Sequence, residues 1–243
     1  MRTRTQAIID DKLLIDFPAD TLLHTHLYNI DFLGVNNCLI THKHGDHLYV
    51  ADFEMLLPGF SHAPEDWHMT FYGSDKVEAA IVPYIKDQLK ADKLISFERV
   101  EEYMPINISG YIVTPLKAIH DQKSGPLIYQ IFDGEKTVLY GTDTHYFDDS
   151  VWEYWEKTKP YFNMVSLDCT NACLPMSYVG HMSFEENLKV RDRMTEMGLA
   201  DENTKFISHH FSHNGVNAVY DDFVAIAEKE KFLVSYDGMI INI

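Results

Sequence analysis

The segment Thr41-His42-Lys43-His44-Gly45-Asp46-His47 concentrates metal-binding chemistry in one place. Three imidazoles and a carboxylate follow directly on the apolar run Cys38-Leu39-Ile40, so a buried strand is expected to end in a loop of ligands. Imidazole nitrogen and carboxylate oxygen are the donors that suit zinc and its first-row neighbours. A lone histidine is usually a surface residue or a satisfied core residue. The order H-x-H-x-D-H is much harder to read that way, and it makes His42, His44, Asp46 and His47 candidate ligands.

One loop does not complete such a site. Three further candidates each stand where an expected strand meets a loop. His120 follows residues 113–119, Asp143 follows Thr137-Val138-Leu139-Tyr140-Gly141-Thr142, and the pair His209-His210 follows Phe206-Ile207-Ser208. Donors held at strand ends are rigidly placed, which metal binding rewards.

The elements that must position these residues can be read from the pattern of apolar runs and breakers. Leu13-Leu14-Ile15, Cys38-Leu39-Ile40 and Met69-Thr70-Phe71-Tyr72 read as strands, followed by a helix over residues 74–90. Residues 94–100, 110–116, 127–132 and 137–140 suggest four more strands, with Asp133-Gly134 as a tight turn between the last two. Residues 150–157 read as helix and 161–167 as strand. Ser183-Phe184-Glu185-Glu186 is a capping box opening a helix that ends at Gly198, with Phe184, Leu188, Met194 and Met197 at roughly helical spacing. Residues 204–208 read as strand and 217–229 as a helix burying Val219, Phe223 and Ile226. Residues 233–236 and 239–243 are expected to close the chain as a hairpin around Asp237-Gly238. Many strands with helices between them imply two packed sheets with helices outside.

Bulk properties narrow the function. The 243 residues, 46% hydrophobic and 23% charged, carry no repeat, low-complexity tract or linker, so one domain over residues 1–243 is the economical expectation. The net charge of −17 disfavours long nucleic acid, because a polyanion is repelled unless a basic patch reverses the field. Lys189, Arg191 and Arg193 are the densest basic group and fall on one solvated helix. A small anionic substrate remains compatible, since a bound cation supplies local positive charge. The basic start Met1-Arg2-Thr3-Arg4-Thr5 has no apolar stretch behind it, so it does not read as a secretory signal, and no run approaches the ~18 apolar residues of a membrane span. Three cysteines, Cys38, Cys169 and Cys173, form no disulfide framework and point to a reducing cytoplasm.

Taken together, the H-x-H-x-D-H loop and the later His120, Asp143 and His210 positions resemble the metallo-β-lactamase superfamily, over nearly the whole chain from Leu13-Leu14-Ile15-Asp16 to the last residues. The resemblance implies an α/β fold, a four-layer αββα sandwich, with a two-metal site at one edge. It implies that His42, His44 and His120 hold one divalent ion, that Asp46, His47 and His210 hold a second, and that Asp143 bridges them. Zinc is the first expectation, with manganese or iron as alternatives. Gly141-Thr142-Asp143-Thr144 resembles the phosphodiesterase branch, which includes ribonuclease Z and cyclic phosphodiesterases. In Ser208-His209-His210-Phe211-Ser212-His213 three histidines compete for the last ligand position. The His-Phe-Ser register selects His210, whereas a Thr-His pairing would select His209. Gly180-His181-Met182-Ser183 matches the branch's proton-donor histidine, beside the helix end at Ser183 where a phosphate could rest. Asp46 has a second role to weigh, orienting the attacking water.

The resemblance thus implies a metal-dependent hydrolase acting on a small phosphodiester, with Asp46 and His181 as catalytic residues. It also brings forward a homodimer as an expected assembly. A hydrolase of lactones, thioesters or amides is the first alternative, because a fold does not choose the bond. A di-iron redox or metal-binding protein is the second. Asp16 and Asp168, near strand ends, are candidate acceptors for the second N–H of ligating imidazoles. His24 and His26 read as surface or pocket residues. Residues 58–68 read as an exposed loop with aromatic content that could wall a pocket. Tyr146, Phe147 and Trp152 could stack on a ring, although helix packing is the favoured reading.

Overall fold

Short apolar runs broken by turn residues become the strands of two mixed sheets, each inside its own compact unit. The computed structural model describes residues 2–91, 93–174, 179–212 and 219–243. One unit comprises Thr3–Glu101 and Lys123–Gly125; the other comprises Glu102–Gln122 and Pro126–Ile243, together with Arg2.

The first unit carries a five-stranded sheet in sequence order: β1 (Ala7–Ile9), β2 (Leu13–Ile15), β3 (Asn37–Leu39), β4 (Met69–Gly73) and β5 (Ile95–Arg99). β1 and β2 form an antiparallel hairpin, turned by Asp10 and Asp11 with positive φ, and the remaining pairs are parallel. Parallel neighbours need crossovers. Helix α1 (Thr21–Tyr28) lies in the first, and α2 (Asp75–Pro83) lies between β4 and β5. The helix expected over residues 74–90 has that extent, but it widens into π turns after Pro83, where the backbone loses a donor. Helix α1 was not anticipated. Its sequence TLLHTHLY has no charged side chain, and Leu22, Leu23 and Leu27 stand exposed. The core of this unit includes Leu14, Val35, Cys38, Phe71, Val77 and Ile81, with Phe53 stacked on Phe71 at 4.5 Å between centroids.

The second unit carries β6 (Ile106–Ile108), β7 (Tyr111–Lys117), β8 (Leu127–Phe132), β9 (Thr137–Gly141), β10 (Met164–Asp168), β11 (Lys205–His209) and β12 (Phe232–Val234), in the spatial order β12-β11-β10-β9-β8-β7-β6. β6 to β9 form an antiparallel meander, and β9 to β12 run parallel. The parallel half is joined through α3 (Asp149–Thr158), α4 (Phe184–Glu196) and α5 (Tyr220–Ala227). Trp152, Trp155, Phe162, Val190 and Met194 fill its core. The capping box is formed: the Ser183 amide donates to Glu186 Oε2 at 2.8 Å. Phe147 and Trp152 are buried, and the Trp152 indole donates to the Phe147 carbonyl, so these rings serve packing.

Two expectations are corrected here. Residues 239–243 form no strand. Met239 closes a turn on Tyr236, but the final carbonyls instead accept from Lys136 and Lys205, and β12 pairs parallel with β11. The face of α5 also differs. Phe223 is buried with Ala227, four residues on, while Val219 is the N-cap before Tyr220 and is 65% exposed, and Ile226 is 41% exposed. Residues 217 and 218 lie outside the described part. No helix among the described residues is long and apolar enough to cross a membrane.

Candidate metal centre

In the first unit the chain leaves β3 through Thr41 and turns through the histidine loop, with the His47 and Leu48 amides both bonded to the His44 carbonyl. Buried Asp16, which follows β2 in a left-handed conformation (φ 68°), organises this loop. Asp16 Oδ1 accepts from the Thr41 amide at 2.8 Å and from its hydroxyl at 2.9 Å, and Oδ2 accepts from His47 Nδ1 at 2.7 Å. That bond puts the His47 proton on Nδ1 and the lone pair on Nε2, the tautomer a metal ligand needs. His42 Nδ1 lies 3.1 Å from the Thr41 hydroxyl, and its Nε2 lies 2.9 Å from His44 Nδ1. Asp46 stands exposed, 3.7 Å from His47 Nε2. Burial raises the Asp16 carboxyl above its ordinary pKa and outweighs the opposing effects of His47 and Thr41.

In the second unit the exits of β7, β9, β10 and β11 bring His120, Asp143, Asp168 and His210 together with His181. Asp143 and His210 have positive φ, 45° and 61°, a conformation uncommon for residues other than glycine and one that concentrates at functional sites. Asp143, Asp168, His181 and His210 offer ligand atoms that all lie within 4.8 Å of one another. His210 Nε2 is 3.2 Å from Asp143 Oδ2, and its Nδ1 is 2.8 Å from the Thr170 hydroxyl. His120 Nδ1 donates to the Gly180 carbonyl at 3.0 Å, and its Nε2 is 3.8 Å from Asp143 Oδ1. His181 Nδ1 reaches Asp168 Oδ2 at 2.9 Å and Asp143 Oδ1 at 3.3 Å.

Asp168 is the hub of this group. It is fully buried and accepts from the backbone amides of Asp143, Thr170 and Met182, so one carboxylate ties the loop after β9 to both ends of the connection between β10 and α4. Burial raises its pKa, but the bonds and charges of His181 and His210 hold it down to about 2. Burial lowers the His181 imidazole, and the bond to Asp168 with the charges of Asp168 and Asp143 outweighs that, leaving its pKa raised.

A family model described as a β-lactamase superfamily domain matches residues 19–210. The chain belongs to the metallo-β-lactamase superfamily of hydrolases. Solved structures share the superfamily fold at low identity. The metallo-β-lactamase fold protein YhfI from Bacillus subtilis is 20% identical with a TM-score of 0.67, over 93% of this chain and 85% of that one. A diphosphatase of the PhnP family is 16% identical with a TM-score of 0.70, over 97% and 82%. The short form of human tRNase Z is 12% identical with a TM-score of 0.66, over 98% and 90%. Among curated proteins none matches this sequence.

The family model bears out the resemblance to the superfamily, and these solved structures share its fold. The donor set fits a divalent ion: imidazole nitrogens and carboxylate oxygens, with His47, His120 and His210 each bonded through Nδ1. His42, His44, Asp46 and His47 sit together on their loop, while His120, Asp143, His181 and His210 sit together in the second unit. His209 is set apart from that group, with Nδ1 2.9 Å from the Ser166 hydroxyl and its ring against Tyr140. His213 lies outside the described residues. His24 is buried between Gln6 and Thr3 rather than on the surface, and His26 is exposed. The reading of the sequence missed Thr41, Thr170 and the Gly180 carbonyl as partners of the histidines. Thr170 stands two residues after Asp168, a spacing at which a carboxylate often bonds the following amide, and that was the available signal.

Proposed function

We propose that this chain is a metal-dependent phosphodiesterase acting on a small anionic substrate. His42, His44 and His120 would hold one divalent ion, Asp46, His47 and His210 a second, and Asp143 would bridge them. Assigning the histidine loop and the second group to one centre rests on the order of the motifs along a superfamily chain. Zinc is the first candidate, with manganese and iron as alternatives. A reducing cytoplasm is in keeping with three free cysteines, two of them buried.

The observation that carries the reading is the Asp143, Asp168, His181 and His210 group. Such ions, when bound, supply Lewis acidity and lower the pKa of water toward about 7. The residues supply the rest. Asp16, Thr170 and the Gly180 carbonyl hold His47, His210 and His120 by Nδ1, so Nε2 is the atom each would offer to an ion. His181, oriented by Asp168 through Nδ1, has Nε2 from which a proton can pass to the leaving oxygen. Its position just before capped α4 supports a phosphate ligand, because helix N-termini attract anions.

Purified protein loaded with Zn²⁺ or Mn²⁺ should cleave an activated phosphodiester. Asp143→Ala should lower that rate by more than the ~10–100-fold typical of outer-shell changes. Full activity in the variant, or turnover of a lactone and thioester panel with none of phosphodiesters, overturns the reading. Two irons per chain without hydrolysis would favour redox work instead.

A further inference from the structure

Two polar residues beside this group have no part in the proposed chemistry. His145, two residues after Asp143, places Nε2 3.2 Å from Glu186 Oε1, and both side chains are largely buried at 17% and 9% exposure. The Tyr146 amide donates to His145 Nδ1 at 2.6 Å, so the imidazole proton sits on Nε2 and points at the carboxylate. The other Glu186 oxygen accepts from the Ser183 amide, two residues after His181. The His145 backbone amide donates to the Ile119 carbonyl at 2.8 Å, next to His120. The Ile119 amide in turn donates to the Thr144 hydroxyl.

A capping box needs only one acceptor oxygen from its glutamate. Here the second oxygen spans to another loop, and the result is a continuous chain from the His120 loop through Thr144 and His145 to Glu186, Ser183 and the His181 loop. Every partner in it has a defined donor and acceptor role. A buried carboxylate that bonds at both oxygens fixes what it joins, because leaving either bond unmade is costly.

We propose that the His145–Glu186 pair is a positioning device that sets His181 against Asp143 and His120. The proposal rests on the phosphodiesterase reading. Neither residue touches substrate; the pair acts through the loops it joins.

The test compares wild type, His145→Leu and His145→Gln in Co²⁺-loaded full-length protein. Glutamine can accept from the Tyr146 amide and donate to Glu186, so it keeps the bridge; leucine removes it. His145→Leu should lower kcat on an activated phosphodiester ~10-fold or more with little change in KM, the range seen for outer-shell changes. It should also alter the visible Co²⁺ spectrum, and His145→Gln should restore both to near wild type. Equal kcat and an unchanged spectrum in a folded His145→Leu protein overturn the proposal, as does failure of glutamine to rescue. If wild type itself cleaves no phosphodiester, the functional reading falls, and the spectra alone decide the positioning role. Should His145→Leu not fold, Glu186→Gln takes its place: it keeps an oxygen for the Ser183 amide and turns an NH2 group toward His145.

Discussion

At the scale of single residues, the candidate centre depends on which ring nitrogen of each histidine carries the proton. Asp16 decides this for His47, because a carboxylate can only accept. Asp16→Asn keeps an oxygen for the Thr41 amide but can present an NH2 group to His47 Nδ1. The ring must then shift its proton to Nε2, the atom a metal would take. Divalent metal affinity should fall ~10–100-fold while the circular dichroism spectrum stays that of wild type. Titration against a chromophoric chelator measures it, and an unchanged affinity would show that Asp16 serves the fold alone. Candidate donors such as His42, His120 and Asp143 could be named from the sequence because few side chains bind metals and their order is distinctive. Thr41, Thr170 and the Gly180 carbonyl were not, since hydroxyls and backbone carbonyls occur everywhere and only tertiary structure assigns them a histidine. Asp168 was legible as a candidate acceptor at a strand end, but not as the anchor of the loops after β9 and β10.

At the scale of elements, each connection after a strand of the second unit has to deliver its side chain and then start cleanly. Asp148 does this for α3. It accepts from the Ser150 amide at 3.0 Å and from Lys117 Nζ at 2.9 Å, and the Ser150 hydroxyl, Lys117 and the Ser150 amide together hold its carboxyl down to about 2. A carboxyl lowered in the folded state stabilises fully above its ordinary value of 3.8 and loses that contribution as pH falls toward about 2. Asp148→Ala should therefore cost ~1 kcal/mol near neutral pH, as lost helix caps do. In urea titrations the gap to wild type should narrow as pH falls through that window; a gap independent of pH would remove the charge from the account. Most of the strands were legible because apolar runs and turn residues mark them locally. Helix α1 was not, since its uncharged, half-exposed face lacks the amphipathic contrast that marks a helix. The end of the chain misled for a related reason: Asp237-Gly238 does make a turn, but a turn signal does not fix whether the residues after it pair, and here the last carbonyls accept from Lys136 and Lys205 instead.

At the scale of the whole molecule, a chain of net charge −17 gathers further carboxylates and several imidazoles into local groups, and some of the buried ones sit in strained backbone. Such groups cost stability when no cation balances them, and a ligand that binds only the folded state returns stability by mass action. At free metal one hundred times its Kd, linkage contributes ~2.7 kcal/mol per site. For two sites in a chain of this size that is a rise of roughly 10–20 °C in melting temperature. Protein stripped with a chelator should thus melt lower by about that amount than protein dialysed against Zn²⁺. The shift should grow with metal concentration. Ca²⁺, which prefers six to eight oxygen ligands, should produce little of it at the same concentration. Asp143→Ala should abolish most of the Zn²⁺ shift, because it removes the carboxylate proposed to bridge the two ions. Equal melting temperatures for stripped and Zn²⁺-dialysed wild type would show that these imidazoles and carboxylates are held together by their own hydrogen bonds and have no use for a metal.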